Sequence, residues 1–409
     1  YGAPLDRRSI IKGVEMLSSR SSLLEIVSEG RILPMELVSP IPKSPFRYEE
    51  LHRLTYYGKL PGATLMNKSS KLIRTPYHAE MREMLNKATG INFVKKFSPP
   101  MMKPGFIHGE FVSPFNKGLL KINQHRPALD QKILNHVIEE YSQRIIKGLE
   151  ASGLKNLRPL DVETAINSVE EDALLRAMNT STSAGFGFKG RKSDILPIVK
   201  ENASSIVREP LPELKKKISD MLEAYMRGEC AHPVFIALLK DEPRSYEKVL
   251  VGGTRIFFMT PTDFLIVCRM MVGPFYTLMP QFANLFCSSV GIDMHRGADK
   301  FRNELVEFSP LIMEGDYSAY DQVTPPEISR AAYTIIFKVL EHFGYNDKAL
   351  QILKGLFTDN LFPIVQMNMD IFEVMGLQPS GKYATAEDNS LKGNIMLMYA
   401  WYNLPNTKK

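Results

Sequence analysis

Cysteine is scarce in this chain of 409 residues, and what there is forms no cluster. Cys230, Cys268 and Cys287 are an odd number, and none belongs to a Cys-x-x-Cys. That argues against a disulfide framework and makes a reducing compartment the better expectation. The histidines are scattered, with no His-x3-His or Cys–His grouping of the kind zinc needs. Long clean apolar runs are missing as well. The nearest, Ile256 to Met279, is interrupted by Pro261, Asp263, Arg269 and Pro274. It is too polar for a bilayer span and reads as buried core, so no transmembrane segment is expected. There is no signal peptide, and Tyr1 stands where a methionine would open a complete product. The expectation is a piece cut from something longer. Nor do two aspartates stand side by side anywhere in the sequence.

What is present describes an ordinary globular protein: 44% hydrophobic residues, 23% charged, and a formal net charge of +6. The charge is too mild to establish a nucleic-acid partner by itself. The length exceeds one ordinary core, so two or more packed units are expected. Residues 1 to about 70 are basic, serine-containing and punctuated by Pro40, Pro42 and Pro45, which reads as a linker. Leu134, Val137, Ile138, Tyr141, Ile145 and Leu149 are spaced as one face of a helix between Pro127 and Leu149. Val162 to Met178 predicts a second helix, and Leu214, Ile218, Met221, Leu222 and Tyr225 a third, stopped by Gly228. Thr324-Pro325-Pro326-Glu327 predicts a helix start with Thr324 as its cap. Ala331, Ile335, Val339, Leu340 and Phe343 mark the apolar face of that helix.

The chain is organised around Leu311-Ile312-Met313-Glu314-Gly315-Asp316, followed by Tyr317-Ser318-Ala319-Tyr320-Asp321. Carboxylates five apart lie on opposite faces of a strand and well apart on a helix, so they converge only if the chain turns between them. The pattern predicts a buried strand that delivers Asp316 at its end, with a tight turn bringing Asp321 back. A carboxylate so placed suits a hard divalent cation such as Mg²⁺, which shares its oxygen ligands with substrate phosphates. An isolated Asp-x4-Asp is more often a helix cap or an Asx-turn.

Two glycine patterns are set aside. Gly185-Phe186-Gly187-Phe188-Lys189-Gly190 spells the dinucleotide fingerprint, but a helix precedes it and a polar, basic loop follows. A flexible loop remains, with Thr182, Ser183, Ala184 and Gly185 able to bring backbone amides near phosphates; a plain interhelical loop is the alternative. Gly376-x4-Gly381-Lys382 nearly spells a P-loop, but Tyr383 stands where a Mg²⁺-binding hydroxyl is required and Pro379 removes an amide. Thr385 and Asn389, four apart, share a face of a helix expected to run to about Tyr402, with Pro379-Ser380-Gly381 leading into it. Lys240, Arg244, Lys248 and Arg255 punctuate a segment that also holds Asp241, Glu242 and Glu247. It reads as a solvated charged hairpin, or as a strand-turn-strand turning its cations toward a triphosphate or a nucleic-acid backbone.

Taken together, four stretches in order resemble the RNA-dependent RNA polymerases of picorna-like positive-strand RNA viruses. They are Thr182-Ser183-Ala184-Gly185, Lys240-Asp241-Glu242-x-Arg244 through Arg255, Asp316-x4-Asp321, and Ser380-Gly381-x3-Thr385-x3-Asn389. The resemblance covers roughly residues 71–409. It implies an α+β right-hand polymerase with fingers and a partial ferredoxin-like palm, the thumb absent. Residues 1–70 would be an upstream polyprotein or linker segment, 71–269 fingers, 270–350 the first part of the palm, 351–376 a fingers insertion, and 377–409 the second, truncated part of the palm. The family's Gly-Asp-Asp hairpin is expected one helix and one strand after Asn389, beyond Lys409, so the chain as given is expected to be inactive.

The resemblance also assigns roles. Asp316 would bind catalytic Mg²⁺, with Mn²⁺ as a substitute. Asp321, Ser380 and Asn389 would read the ribose 2′-hydroxyl, with Thr385 supporting Asp321 and Gly381 in the same nucleotide-binding loop, and Lys240, Arg244, Lys248 and Arg255 would line the path of incoming nucleoside triphosphates. Thr182 to Gly185 would guide template RNA. Implied partners are template and product RNA, nucleoside triphosphates, a protein primer and other viral replication proteins, in the host cytoplasm at membrane-associated replication complexes. A non-catalytic RNA-binding fragment is the rival reading. A reverse transcriptase is disfavoured by Asp321 with Asn389, because DNA synthesis is better served by a bulky residue that excludes the 2′-hydroxyl.

Overall fold

The computed structural model describes residues 53–60, 68–73, 75–91, 97–124, 126–168, 175–201 and 206–405. Most of the expected upstream segment, Arg74 and the middle of the helix expected over Val162–Met178 lie outside the described residues.

Five strands form the main sheet: β1 (Leu54–Lys59), β2 (Val234–Leu239), β3 (Ile256–Met259), β4 (Ile364–Met367) and β5 (Asp370–Val374). Their spatial order is β1-β5-β4-β2-β3. All neighbours are antiparallel except β4 and β2, which run parallel with Ile364 opposite Val234. The sequence explains the hairpin between β4 and β5, because Asn368 supplies the left-handed turn residue at φ 58. Strand β2 alternates, burying Phe235, Ala237 and Leu239, whereas every residue of β5 is buried. Two of those residues are acids, and tyrosines of β1 satisfy them: Tyr56 donates to Asp370 at 2.9 Å and Tyr57 to Glu373 at 3.0 Å. The edge strand β1 therefore comes from a stretch that reads in sequence as linker.

Eight helices carry the rest of the argument: α1 (Gln131–Ala151), α2 (Pro212–Met226), α3 (Thr262–Tyr276), α4 (Met294–Phe308), α5 (Tyr320–Val323), α6 (Pro326–His342), α7 (Asp347–Leu361) and α8 (Thr385–Tyr402). Helix α1 starts where Asp130 accepts hydrogen bonds from the amides of Lys132 and Ile133, and it buries the six apolar residues whose spacing announced it. Helix α6 packs against α1, α7 and α8, and α2 packs against α7 and α3. The α3 region, extended to Gln281, is long and apolar enough to cross a membrane by composition, yet most of it is buried inside the protein. One continuous hydrophobic core runs from Leu54 of β1 to Ile395 of α8.

Three expectations need correcting. The second helix is short, Val162–Asn167, and ends where Ser168 turns to φ 72. Helix α6 begins as expected, but Pro325 is the residue before its first turn, and the Thr324 hydroxyl donates to the Tyr320 carbonyl at 2.6 Å instead of capping. No strand carries Asp316, where the sequence predicts one, and α6 packs among helices.

Candidate active site

The segment before Asp316 departs furthest from expectation. Residues 311–316 are irregular, and Leu311 and Met313 are 88% and 98% exposed. A strand needs a neighbour for its amides and carbonyls, and no described strand pairs with this segment. An apolar run sets the preference for burial but cannot supply that neighbour. Asp316 is exposed.

A turn follows it at residues 318–319. Ala319 adopts φ 55, Tyr320 opens α5, and Tyr317 and Tyr320 meet with ring centroids 5.2 Å apart. Asp321 is half-buried, and this burial raises its carboxyl above the ordinary value, opposed chiefly by the nearby Arg255 guanidinium. Its backbone is tied down. The Asp321 carbonyl accepts from the Gln378 amide at 3.0 Å, and the buried Arg53 guanidinium donates to the carbonyls of Gln322, Thr324 and Met375.

The Gln378 contact brings in the second segment. Ser380 Oγ accepts from the Phe258 amide of β3 at 3.3 Å. Gly381 lies so close to the same strand that a Cβ there would sit 2.2 Å from the Phe258 carbonyl oxygen, which only glycine avoids. Thr385 Oγ1 donates to the carbonyls of Lys382 and Ser380, at 2.9 and 3.3 Å, and so closes the loop onto the first turn of α8. One turn on, the Asn389 carbonyl accepts from the Tyr320 hydroxyl at 3.0 Å. The Asn389 side-chain Oδ1 is buried with no hydrogen-bond partner. A buried acceptor left open costs roughly 1–3 kcal/mol, so it marks a place where a donor is wanted. The structure thus joins Asp321, Ser380, Gly381, Thr385 and Asn389 through α5, β3 and α8.

The cation segment bridges β2 and β3. It is more elaborate than a simple hairpin, with a short strand at Arg244–Ser245 and a helical turn at Tyr246–Leu250. Lys240, Arg244 and Arg255 converge on Glu242, at 2.9, 3.6 and 3.3 Å. Burial would raise the Glu242 carboxyl, but Lys240 and Arg255 hold it below the ordinary range. Lys248 stands exposed on the helical turn. Arg255 thus links the cation cluster to Asp321.

The glycine loop is anchored, not flexible. The buried Lys192 donates to Thr182 Oγ1 at 2.7 Å and to the Ser183 carbonyl at 3.0 Å. Ala184 is buried, and its carbonyl accepts from both the amide and the hydroxyl of Thr262 at the start of α3. Gly185, at φ 92, presses against Pro261, where a Cβ would come within 2.6 Å of the Pro261 Cα. Thr182 and Ser183 remain exposed.

Sequence reasoning missed one group altogether. Asp388, Lys382 and Lys392 meet in the core beside Gln378, Tyr276 and Tyr333. The only sequence signal was Asp388 and Lys392 four apart, which equally marks an exposed pair on a helix.

A family model described as viral RNA-dependent RNA polymerase matches residues 108–408. The replicase polyprotein of Drosophila C virus is 23% identical over 328 residues, 75% of this chain and 18% of that protein. The genome polyprotein of human hepatitis A virus, genotype IA isolate HAS-15, is 28% identical over 250 residues, 59% of this chain and 11% of its own length. The chain therefore spans under a fifth of the length of these relatives. Among solved structures, the Sicinivirus 3Dpol RNA-dependent RNA polymerase superposes with a TM-score of 0.66 at 17% identity, covering 85% of this chain and 67% of that one. That likeness establishes the α+β right-hand polymerase fold.

Proposed function

The chain belongs to the viral RNA-dependent RNA polymerase family, and on that premise we propose that it belongs to the RNA-synthesising part of a picorna-like viral polyprotein. That polymerase would extend a 3′-hydroxyl by nucleotidyl transfer from nucleoside triphosphates as an RNA template directs, in genome replication in the host cytoplasm. Membrane-associated replication complexes, a protein primer and other viral replication proteins complete the setting. In domain terms, residues 71–269 and 351–376 serve as fingers, and 270–350 and 377–409 belong to the palm.

The open acceptor of Asn389 carries this reading. A ribose 2′-hydroxyl is a donor that a deoxyribose lacks, and a site built to bond a hydroxyl rejects the analogue without it. Asp321, tied to the same loop through Gln378, supplies a second acceptor. Its burial, with Arg255 alongside, keeps it in surroundings where such a bond is discriminating. Lys240, Arg244, Lys248 and Arg255 face the triphosphate, with Glu242 holding three of them together in the absence of phosphate. Thr182 to Gly185 guides the template.

Polymerases of this family use divalent ions, Mg²⁺ or Mn²⁺, which would steady the leaving pyrophosphate and activate the attacking hydroxyl. Asp316 offers one carboxylate. Among the described residues no group of three His, Cys, Asp or Glu side chains could hold a metal ion, so Asp316 does not complete an ion site with them.

The test is primer extension by the viral polymerase that carries this sequence, comparing GTP with dGTP. Asp321→Asn and Asn389→Ala should each lower the ratio of the two kcat/KM values, by roughly 5- to 100-fold for one buried hydrogen bond. An unchanged ratio with only a slower rate would overturn the ribose assignment.

A further inference from the structure

The carboxylate of Asp388, one residue before Asn389, is fully buried and accepts four hydrogen bonds. The ammonium groups of Lys382 and Lys392 reach Oδ2 at 2.7 and 2.8 Å, Gln378 Nε2 reaches the same oxygen at 2.7 Å, and the Tyr276 hydroxyl reaches Oδ1 at 3.1 Å. Lys392 also donates to Gln378 Oε1 at 2.6 Å, and Lys382 to the Tyr333 hydroxyl at 2.8 Å. The cluster is uneven, with two cations and one anion out of water. Apolar side chains of similar volume often serve stability as well as a buried ion group, or better. Stability alone therefore does not account for it.

Its connections do. Gln378 donates its amide to the Asp321 carbonyl and its side chain to Asp388, so one residue joins both halves of the site. Lys382 follows Gly381, and its carbonyl receives the Thr385 hydroxyl. Asp388 fixes the turn of α8 that presents Asn389. Each charged partner thus sits within one residue of a group assigned to the sugar, or is braced against one that does.

We propose that Asp388, Lys382, Lys392 and Gln378 are positioning residues for sugar selection, their ionic knot holding the 378–382 loop and the first turn of α8 in one geometry against Asp321. The proposal rests on the ribose reading above and extends it to side chains that never touch the nucleotide. Loss of the knot lets the loop and the helix turn move apart, and small misplacements of binding groups are costly in rate.

The experiment uses the same primer-extension ratio for GTP over dGTP. Lys392→Met keeps most of the volume and leaves Asp388 paired one to one with Lys382, so the fold should hold. A triple variant, Lys382→Met with Asp388→Leu and Lys392→Met, replaces the whole knot by apolar side chains. Near-ultraviolet circular dichroism reports whether each variant is folded. The expected result is a ratio lowered about 10-fold in folded Lys392→Met, through a raised KM for GTP more than a lowered kcat. If Asn389→Ala and Asp321→Asn lower the ratio while both knot variants fold and keep the wild-type ratio, the cluster is core filling and the proposal fails. If those two variants leave the ratio unchanged, the ribose reading fails and takes the proposal with it. If neither knot variant folds, the cluster serves folding, which also overturns the proposal.

Discussion

At the scale of single residues, the groups that spacing alone could place are those on or beside a helix. Thr385 and Asn389 were legible because a helix turns a spacing of four into a shared face, whereas Ser380 and Gly381, which precede the helix, were singled out only by the family resemblance. Asp388 and Lys392 have that same spacing, yet their burial was not legible. Whether an ion pair faces water or core depends on what packs over it, here Tyr276 of α3 and Tyr333 of α6. The burial has a consequence that can be measured. Desolvation pulls the Lys392 ammonium down to about 8, opposed by Asp388 and aided by Lys382. Burial would raise Asp388, but Lys382 and then Lys392 outweigh it and hold it well below the carboxylate range. Burial would lower Lys382, but Asp388 and Tyr333 hold it above its ordinary value. Tyr276 and Tyr333 are raised, chiefly by burial. Between pH 8 and about 10 the unfolded chain therefore keeps a proton on Lys392 that the folded chain has released. The unfolded state binds more protons there, so Lys392 makes stability rise with pH through this window. Asp388 acts below pH 4, and Lys382 and the tyrosines act above about 10. Lys392→Met, which lacks the titrating group, should not share this rise. The native chain should therefore gain on it by on the order of 2 kcal/mol between pH 7 and 9.5. Urea unfolding of both proteins at pH 7, 8.5 and 9.5 checks it, and a constant difference would contradict the sign.

At the scale of elements, three long helices followed from period, while the pattern over Val162–Met178 ended early at Asn167 and the strand expected before Asp316 did not form. The apolar faces of α1, α2 and α6 are buried as their spacing required. The segment 311–316 has the composition of a strand and none of the pairing, since a ladder is a property of two segments and a pattern describes one. Edge strand β1 shows the converse: its Leu54, Tyr56 and Gly58 are buried in alternation within a stretch too short and irregular to read as a strand. The two helices that carry the groups proposed to read the sugar open on the same device, a left-handed alanine, and the sequence predicts a turn only at the first of them. Ala319 precedes α5 and Ala384 precedes α8, both at φ 55. An L-residue held there is strained by roughly 1–2 kcal/mol, which alanine tolerates better than any branched side chain. Ala384→Val should therefore destabilise the protein by about 1–2 kcal/mol. Ala384→Gly should change stability by no more than about 0.5 kcal/mol, because relief of strain is offset by the entropy of glycine in the unfolded chain. Thermal unfolding of the two variants compares them directly; equal destabilisation by Val and Gly would show that the left-handed turn is not what the position demands.

At the scale of the whole molecule, the formal charge of +6 is small, and its placement matters more than its size. The order of the four motifs was legible in sequence and fixes the family. What the order could not show is that Lys240, Arg244 and Arg255 share one acid, Glu242, or that Arg255 stands by Asp321. Such contacts arise from the register of β2 against β3, with Leu239 opposite Ile256. If the four cations proposed for the triphosphate also meet the RNA backbone, the arrangement predicts how RNA affinity depends on salt. Phosphates compete with Glu242 for the same cations, and each cation that takes a phosphate releases counterions from the strand. With three or four such contacts, affinity for single-stranded RNA should fall about 10- to 100-fold between 50 and 200 mM salt. Removing Arg255 and Lys248 together should flatten the plot of log affinity against log salt by about 1 to 1.5, since each lost phosphate contact removes about 0.7 on a single strand. Glu242→Gln should act in the opposite direction and tighten RNA at every salt concentration, because the three cations lose their internal partner and keep their charge. Fluorescence anisotropy with a labelled oligonucleotide, across a salt series for all three proteins, measures both effects. Weaker binding by Glu242→Gln would mean that the acid orders the cations for phosphate more than it competes with it, and the competition argued here would be wrong.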